Sequence, residues 1–374
     1  MCLRGRYGSA KKSIFSSEFT EPYDDTMRKL KNLHPVENFC WPKPKICKLW
    51  TDAPINSSEV QTAINHLPKG KAAVSSGISF DILKSACRKA PEICDDLAEY
   101  FQNMVCLNTI PPTELVAARL IALVKPGNGK KPDGIRPIAI GKSITRLFAS
   151  IVFYRVASKA AKFLAPFQFG IRTIDGASVA ALTSVLFFSS NNQNYIFDLD
   201  FKNAFNSVHR SAVYDVTHKE FSELSSYFYL FYGKTSELIY GSYTLFSCSA
   251  VKQGDPLGPL LFCLAIHKSL IHCSNRFPML KIVGYLDDNS IIGPSNVLNE
   301  IASEASLFYR DIGLLLNADK CLLIGKVEDR LTIDGVEIPF LDYSSDAFRF
   351  LGWCLGNVPK IIEELNNFFD EIGL

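Results

Sequence analysis

The 374-residue sequence lacks the long apolar runs and paired cysteines that would place it in a membrane or an oxidising compartment. No apolar stretch approaches the roughly 18 residues that a transmembrane helix needs. The N-terminal segment MCLRGRYGSAKKSIFSS has no apolar core like that of a secretory signal. None of the 11 cysteines forms a Cys-x-x-Cys motif, and Cys40 and Cys47 are too far apart for an ordinary zinc knuckle. We therefore expect an intracellular protein, in the cytoplasm, the nucleus or both, with reduced cysteines and no membrane partner.

The sequence also lacks an internal repeat and a phosphate-binding P-loop. Its basic, glycine-rich stretch KPGNGKKPDG does not have the Gly-x4-Gly-Lys-Ser/Thr spacing. The formal net charge is only +2, but residues 119–162 contain ten Lys or Arg and a single acid, Asp133. A block this long and one-sided favours an anionic partner, such as nucleic acid or polyphosphate, over a solvated helix face.

Short strands, hairpins and helices alternate irregularly along the chain. RLIALV and RPIAI predict a hairpin with the basic loop at its tip, NYIFDLDF predicts a strand, and KIVGYLDDNSIIG and LTIDGVEIPF predict further hairpins. Amphipathic stretches predict the helices between them, including one helical stretch from Phe80 to Leu107. The frequent hairpins favour an α+β fold, with helices backing an antiparallel sheet, over a doubly wound parallel sheet.

Three aspartates stand where predicted strands end. Asp200 ends the strand IFDLD, and Asp287 and Asp288 occupy the tip of the hairpin KIVGYLDDNSIIG. A purely conformational explanation exists for each, since Asp is common in turns and at strand ends. If the strand ends converge in one sheet, however, the three carboxylates would repel one another unless a cation lay between them. Hard oxygen ligands suit Mg²⁺, and two such ions serve in-line nucleotidyl transfer. Asp198 shares the face of Asp200 but lies deeper in the strand, so it ranks behind these three.

Five segments resemble, in order and approximate spacing, the palm motifs of reverse transcriptases: DLDFKNAF, QGDPLGPLLF, GYLDDNSIIG, GLLLNADKC and FRFLGWCLG. Three upstream segments resemble the fingers motifs of the same family: KAAVSSGISFDILK, LIALVKPGNGKKPDGIRPIAI and LAPFQFGIRTIDGAS. The resemblance covers about residues 65–356 and is greatest to the enzymes of non-LTR (LINE-type) retrotransposons. It implies the right-hand polymerase fold of fingers, palm and thumb.

Carried over position by position, the resemblance implies that Asp200, Asp287 and Asp288 are catalytic carboxylates. They would bind two Mg²⁺ ions, for which Mn²⁺ can substitute. Phe205, five residues after Asp200, is expected to stack under the incoming sugar and to exclude a 2′-hydroxyl, which selects deoxynucleotides. Phe205 can also be interpreted as a core aromatic, because the segment AFNSV is apolar.

The resemblance implies roles for five further residues around the substrates. Gln253 and Gly254 are expected beside the nascent base pair, where glycine permits close approach of the backbone. Lys125 and Arg136 flank the basic loop and are expected to contact the nucleotide triphosphate. Generic phosphate-backbone contact or solvation would also explain these two residues. Lys320 is expected to donate a proton to the leaving pyrophosphate, although a lone lysine is usually just solvated.

The resemblance implies four segments: an N-terminal extension at 1–50, fingers at 51–190, a palm at 191–356 and the start of a truncated thumb at 357–374. The sequence departs from the family pattern at Ala73–Gly77, which reads AVSSG instead of Ala-Gly-Pro-Asp-Gly, and at Asn206, where Asp is common. Only one helix is predicted after Gly356, and no endonuclease domain is visible. Two interpretations therefore stay open: the chain is a fragment of a longer element, or it is a decayed or repurposed copy.

The expected function is that of an RNA-directed DNA polymerase, which adds dNTPs to a primer 3′-hydroxyl. The expected partners are an RNA template, a DNA primer and dNTPs. The sequence does not indicate an oligomeric state. Two alternatives stay open. One is an RNA-dependent RNA polymerase, which Phe205 argues against. The other is a catalytically inactive RNA-binding protein with a polymerase-like fold, which the short thumb favours and the intact carboxylates oppose.

Overall fold

The computed structural model describes residues 24–37, 41–68, 78–107, 111–124 and 134–363. Lys125, Ala73–Gly77 and the tip of the predicted basic hairpin lie outside these residues. The chain divides into two units. Among the described residues, unit I consists of Lys159–Ala204 and 265–363, and unit II consists of the described part of 24–158 together with Phe205–Leu264.

Both units contain helices and strands. The helices are α1 (Asp24–Asn32), α2 (Lys48–Asp52), α3 (Ser57–His66), α4 (Phe80–Lys89), α5 (Glu92–Leu107), α6 (Thr113–Val116), α7 (Ser143–Leu164), α8 (Gly176–Ser189), α9 (Ala204–Ser207), α10 (Arg210–Glu220), α11 (Ser222–Tyr232), α12 (Gly258–Arg276) and α13 (Ser295–Asp311). The strands are β1 (Ala118–Val124), β2 (Ile135–Gly141), β3 (Asn194–Leu199), β4 (Ser236–Tyr240), β5 (Tyr243–Ser247), β6 (Lys281–Tyr285), β7 (Asp288–Pro294), β8 (Leu322–Gly325), β9 (Thr332–Ile333), β10 (Val336–Glu337), β11 (Phe340–Asp342), β12 (Ala347–Phe350) and β13 (Trp353–Gly356). Within the described ranges, no helix is both long and apolar enough to cross a membrane.

Unit I is built on a five-stranded sheet in the order β11-β8-β3-β7-β6. The central strand β3 pairs antiparallel with β7 and β8, and β6 pairs antiparallel with β7, whereas β11 runs parallel to β8. Helix α8 packs against β3, β6 and β7, and α13 packs against β3 and β7. The core contains Ala180, Ala181, Phe188, Ile196, Val283, Ile292, Ile324, Phe348 and Phe350. Burial of these side chains fixes the register of the strands that carry the aspartates.

Unit II contains a four-stranded sheet in the order β2-β1-β4-β5. The antiparallel pair of β1 and β2 confirms the hairpin predicted from RLIALV and RPIAI, with Ala118 opposite Gly141. β1 also runs parallel to β4, which forms a hairpin with β5. The apolar cluster on this sheet is formed by Met27, Leu30, Ala118, Leu120, Ala122, Ile135, Ala139, Leu238, Tyr240 and Leu245. Mixed helices and largely antiparallel sheets agree with the predicted α+β class.

The described part of the predicted N-terminal extension packs within unit II. The Glu37 carboxylate accepts hydrogen bonds from the backbone N–H groups of Arg210 (2.6 Å) and Ser211 (3.0 Å), which open helix α10. An acid at this position also interacts favourably with the helix dipole. The ring of Trp41 lies 5.0 Å from that of Tyr214 on the same helix. These contacts tie the segment before residue 50 to the unit's core.

The prediction of one helical stretch from Phe80 to Leu107 is wrong. The structure has two helices, α4 and α5, with Pro91 between them. Proline lacks the N–H that a helix interior needs and disfavours the helical conformation of the residue before it. Ala90 accordingly leaves the helical region, with φ −136° and ψ 83°.

Candidate active site

The two adjacent aspartates lie at a tight hairpin, as predicted. Tyr285 pairs with Asp288, so the connection between β6 and β7 consists of only Leu286 and Asp287. Leu286 has φ +59°, which is the left-handed region. A side chain there costs about 1–2 kcal/mol, and hairpins normally place glycine or asparagine at such positions. The Asp-Asp turn is therefore held in an unfavourable backbone conformation by its surroundings.

Strand register puts three carboxylates on one face of the unit I sheet. In the pairing of β3 with β7, Asp198 lies opposite Ser290 and Leu199 lies opposite Asn289. Asp200 directly follows the paired stretch of β3, and Asp288 is the first residue of β7. Directly opposed residues point to the same face with Cβ atoms about 5 Å apart, and residues two apart on a strand share a face. Asp198, Asp200 and Asp288 thus belong to one cluster, and Asp287 precedes it in the turn.

The pKa of Asp198 reflects the negative charges of this cluster. Burial raises its pKa to about 7, and the negative charges of Asp288 and Asp200 raise it as well. A hydrogen bond of 2.7 Å from the Ser290 hydroxyl to the Asp198 carboxylate acts in the opposite direction but does not outweigh them. The sequence favours the other three aspartates over Asp198, yet burial and the charges of Asp288 and Asp200 all act on Asp198.

Asp200 is held by a segment far away in the sequence. The side-chain amide of Asn317 donates to the Asp200 carboxylate at 3.1 Å, and the Asn317 backbone N–H donates to the Asp200 carbonyl at 2.8 Å. The Lys202 N–H also donates to the Leu315 carbonyl at 2.8 Å. These contacts fix the point at which the chain leaves β3. Sequence reasoning missed Asn317, although its place in the motif GLLLNADKC was a signal.

The donor set of the cluster suits a hard divalent cation. Among the described residues, no group of three or more His, Cys, Asp or Glu side chains is already arranged to hold a metal ion. Carboxylate oxygens at strand ends are nevertheless the ligands that Mg²⁺ prefers. The raised pKa of Asp198 arises partly from like charges, and a bound cation would relieve this repulsion. The carboxylates present therefore suit a divalent ion, because oxygen is its preferred ligand atom and the carboxylates of the cluster share one face of the sheet.

Two of the residues predicted to contact substrate lie in a turn of unit II. The Gln253 carbonyl accepts a hydrogen bond of 2.7 Å from the Ala139 N–H, which fastens the turn to β2. Gly254 has φ +129°, and a Cβ atom there would lie 2.4 Å from the Ala139 carbonyl oxygen. No side chain fits in this place, so the glycine is required for the turn to approach β2.

The remaining predicted residues are found in different settings. Phe205 is half-buried, with its ring 4.9 Å from that of Phe262, so a packing role is present. Arg136 is exposed on β2, and Lys320 is exposed in the turn that follows Asn317. Lys125 lies outside the described residues.

A buried polar network supports the QGDPLGP turn from within unit II. Asp255 accepts hydrogen bonds from the hydroxyls of Tyr227 (3.0 Å) and Tyr232 (2.6 Å). The Lys252 ammonium donates to the Val116 carbonyl at 2.8 Å, and burial lowers the pKa of Lys252 to about 7. The sequence shows the QGDPLGP motif, but nothing in it predicts that two tyrosines bind Asp255.

Comparison with known proteins relates the chain to one family. The family model described as "Reverse transcriptase (RNA-dependent DNA polymerase)" matches residues 125–355, which include every aspartate of the cluster.

Curated relatives match this chain as well. The Pol polyprotein from type-1 retrotransposable element R2 of Popillia japonica is 27% identical over 342 residues, which cover 82% of this chain and 45% of the relative. The SLACS 132 kDa retrotransposable element protein of Trypanosoma brucei gambiense is 28% identical over 213 residues, covering 55% and 17%. The R2DM Pol polyprotein of Drosophila melanogaster is 24% identical over 293 residues, covering 71% and 27%. The chain thus spans less than half the length of these relatives.

Proposed function

Because this chain belongs to the reverse transcriptase family, we propose that it is the RNA-directed DNA polymerase domain of a non-LTR retrotransposon. It would join dNTPs to the 3′-hydroxyl of a DNA primer on an RNA template. The observation that carries the proposal is the acidic face of unit I, where Asp198 lies opposite Ser290 in strand register and the charges of Asp288 and Asp200 act on it. All three aspartates lie inside the matched region. The relatives named as retrotransposon proteins support the choice of a non-LTR element.

Enzymes of this family use divalent metal ions, and we propose that Asp200, Asp287 and Asp288 hold two Mg²⁺ ions. Mn²⁺ would serve in their place. Bound metal would supply the positive charge that activates the primer hydroxyl and steadies the leaving pyrophosphate. The protein's own part is positioning: Asn317 orients the Asp200 carboxylate, and the two-residue turn presents the Asp-Asp pair.

The assignment of substrate contacts is also a proposal. Phe205 would exclude the 2′-hydroxyl, and Gln253 with Gly254 would lie beside the nascent base pair on a turn that β2 holds rigidly. The exposed guanidinium of Arg136 and the exposed ammonium of Lys320 are available to phosphate oxygens. Lys125 would join Arg136 at the triphosphate.

We keep the right-hand organisation as part of the same proposal, with fingers at 51–190 and palm at 191–356. The acidic sheet would belong to the palm, and the β1–β2 hairpin would belong to the fingers. The predicted thumb segment, 357–374, is described only to residue 363, and residues 358–363 are helical.

Primer extension on an RNA template with Mg²⁺ tests the function. The wild-type chain should incorporate dNTPs but not rNTPs. Asp287→Asn/Asp288→Asn should lower the rate at least about 100-fold, since it removes charge aimed at the reacting groups. Asp311→Asn changes an exposed aspartate at the end of α13 and should leave the rate unchanged.

Three different outcomes of this experiment would each contradict one part of the proposal. Extension that survives loss of both aspartates would show that the site is wrong. Extension with rNTPs would indicate an RNA polymerase. Binding of RNA without any extension would indicate a non-catalytic protein on this fold.

A further inference from the structure

The segment before α8 adds to the edge of the unit I sheet beside the Asp-Asp hairpin. The Phe169 N–H donates to the Gly284 carbonyl, and the Gly284 N–H donates to the Phe167 carbonyl, both at 2.7 Å. Gln168 therefore lies level with Gly284, two residues before the turn. Gln168 is only 6% exposed.

The buried amide of Gln168 binds both backbone groups of Leu286. Its Oε1 accepts hydrogen bonds from the N–H groups of Leu286 (2.7 Å) and Gly170 (3.0 Å), and its Nε2 donates to the Leu286 carbonyl at 3.2 Å. Leu286 is the residue with left-handed φ that directly precedes Asp287. An amide matches this pair of backbone groups because it carries one acceptor and one donor side by side.

Two glycines make room for this contact. A Cβ atom at Gly170 would lie 2.6 Å from Leu286 Cδ2 and 2.9 Å from the Leu286 nitrogen. A Cβ atom at Gly284 would lie 3.1 Å from Nε2 of Gln168 and 2.7 Å from Oδ1 of Asn289. The Asn289 side chain in turn donates to the Asp287 carbonyl at 3.0 Å. Amide side chains thus hold the backbone just before the Asp-Asp pair and the peptide between its two residues.

We propose that Gln168 is a positioning residue that clamps Leu286 in its left-handed conformation and so aims Asp287 and Asp288 at the face shared with Asp200. The role in aiming catalytic carboxylates rests on the proposed function. The clamp itself rests on the hydrogen bonds and the backbone conformation. Residues that orient metal-binding groups from behind typically contribute 10–100-fold to metal affinity or activity.

Gln168→Met, which keeps the length of the side chain but removes both polar atoms, tests the clamp. Hydrogen–deuterium exchange should become faster in the peptide 281–294, and Mn²⁺ binding measured by electron paramagnetic resonance should weaken about 10-fold or more. In primer extension kcat should fall about 10–100-fold, while KM for dNTP should change little. Gln193→Met, at an exposed glutamine in the same unit, is the matched control and should change none of these.

A second variant covers the case in which Gln168→Met does not fold. Gln168→Glu keeps an acceptor for the Leu286 and Gly170 N–H groups but sets an oxygen against the Leu286 carbonyl, so it should show the same losses. Unchanged exchange and unchanged Mn²⁺ affinity in a folded variant would overturn the proposal. If the wild-type chain does not extend primers, the proposed function fails, whereas exchange and Mn²⁺ binding still decide whether the clamp exists.

Discussion

Unit I and unit II both bury charged side chains, but they surround them differently. In unit II the guanidinium of Arg210 is almost entirely buried and donates to the carbonyls of Tyr232 (2.9 Å), Ala250 (3.0 Å), Lys234 (3.3 Å) and Ser247 (3.2 Å). Burial lowers its pKa to about 10, which leaves it charged at neutral pH. Its donors are matched by backbone acceptors, so it joins α10 to the hairpin of β4 and β5 and to the loop after it.

In unit I the charges that face one another have the same sign. Asp198 receives one hydrogen bond from Ser290 and is raised in pKa by burial and by Asp288 and Asp200. Such an arrangement lowers stability, and proteins commonly keep it where a ligand will bind. The partners of a buried charge therefore distinguish a scaffold from a functional site better than burial alone does.

Removing the Arg210 guanidinium should have the largest effect. Arg210→Met leaves several buried carbonyls without their donor and should lower the free energy of unfolding by about 3 kcal/mol or more. Urea denaturation followed by the fluorescence of Trp41 and Trp50, both in unit II, would measure it. Arg88→Met, at an exposed arginine of the same unit, should stay within about 0.5 kcal/mol of wild type. A loss below about 1 kcal/mol for Arg210→Met would show that the Arg210 hydrogen bonds do not support unit II as described.

Removing a charge from unit I should do the opposite. The folded-state pKa of Asp198 is raised to about 7, so ionising it opposes folding increasingly between pH 4 and 7 and fully above pH 7. Asp198→Asn should therefore stabilise the protein by about 1–3 kcal/mol at pH 8, with a gain that shrinks towards pH 4. Thermal and urea unfolding at pH 5 and 8 would check this. Asp311→Asn should show no such gain, and destabilisation by Asp198→Asn at pH 8 would contradict the interpretation.

The smallest expected effect concerns Lys252. Its folded-state pKa of about 7 lies below the ordinary value of 10.5, so the unfolded chain binds more protons between these limits and stability rises with pH. Lys252→Met removes this dependence. Its stability relative to wild type should fall by about 1 kcal/mol between pH 8 and 9, as measured by urea denaturation. Lys219→Met, at an exposed lysine, should show no change of slope, and a flat difference for Lys252→Met would show that the lysine is not held neutral.

Local pattern was sufficient for the hairpins. KIVGY and SIIG predicted two strands with the aspartates between them, and the structure places β6 and β7 there. The hairpin predicted from LTIDGVEIPF turns at Asp334 and Gly335, and both residues have the positive φ that a two-residue hairpin turn requires, +51° and +79°. The local pattern gave a wrong prediction where a single residue interrupts the helical period of apolar residues, as Pro91 does between α4 and α5.

The local sequence pattern was enough to predict which strands carry the carboxylates and where each strand ends, because side-chain alternation and turn chemistry act over a few neighbouring residues. It also carried the motifs that relate the chain to its family. The place of Asp198 in the cluster, and the contacts by which Asn317 and Gln168 support it, follow from the three-dimensional structure alone. Their partners, Asp200 and Leu286, are 117 and 118 positions away, and such contacts arise from sheet register and packing rather than from local preference.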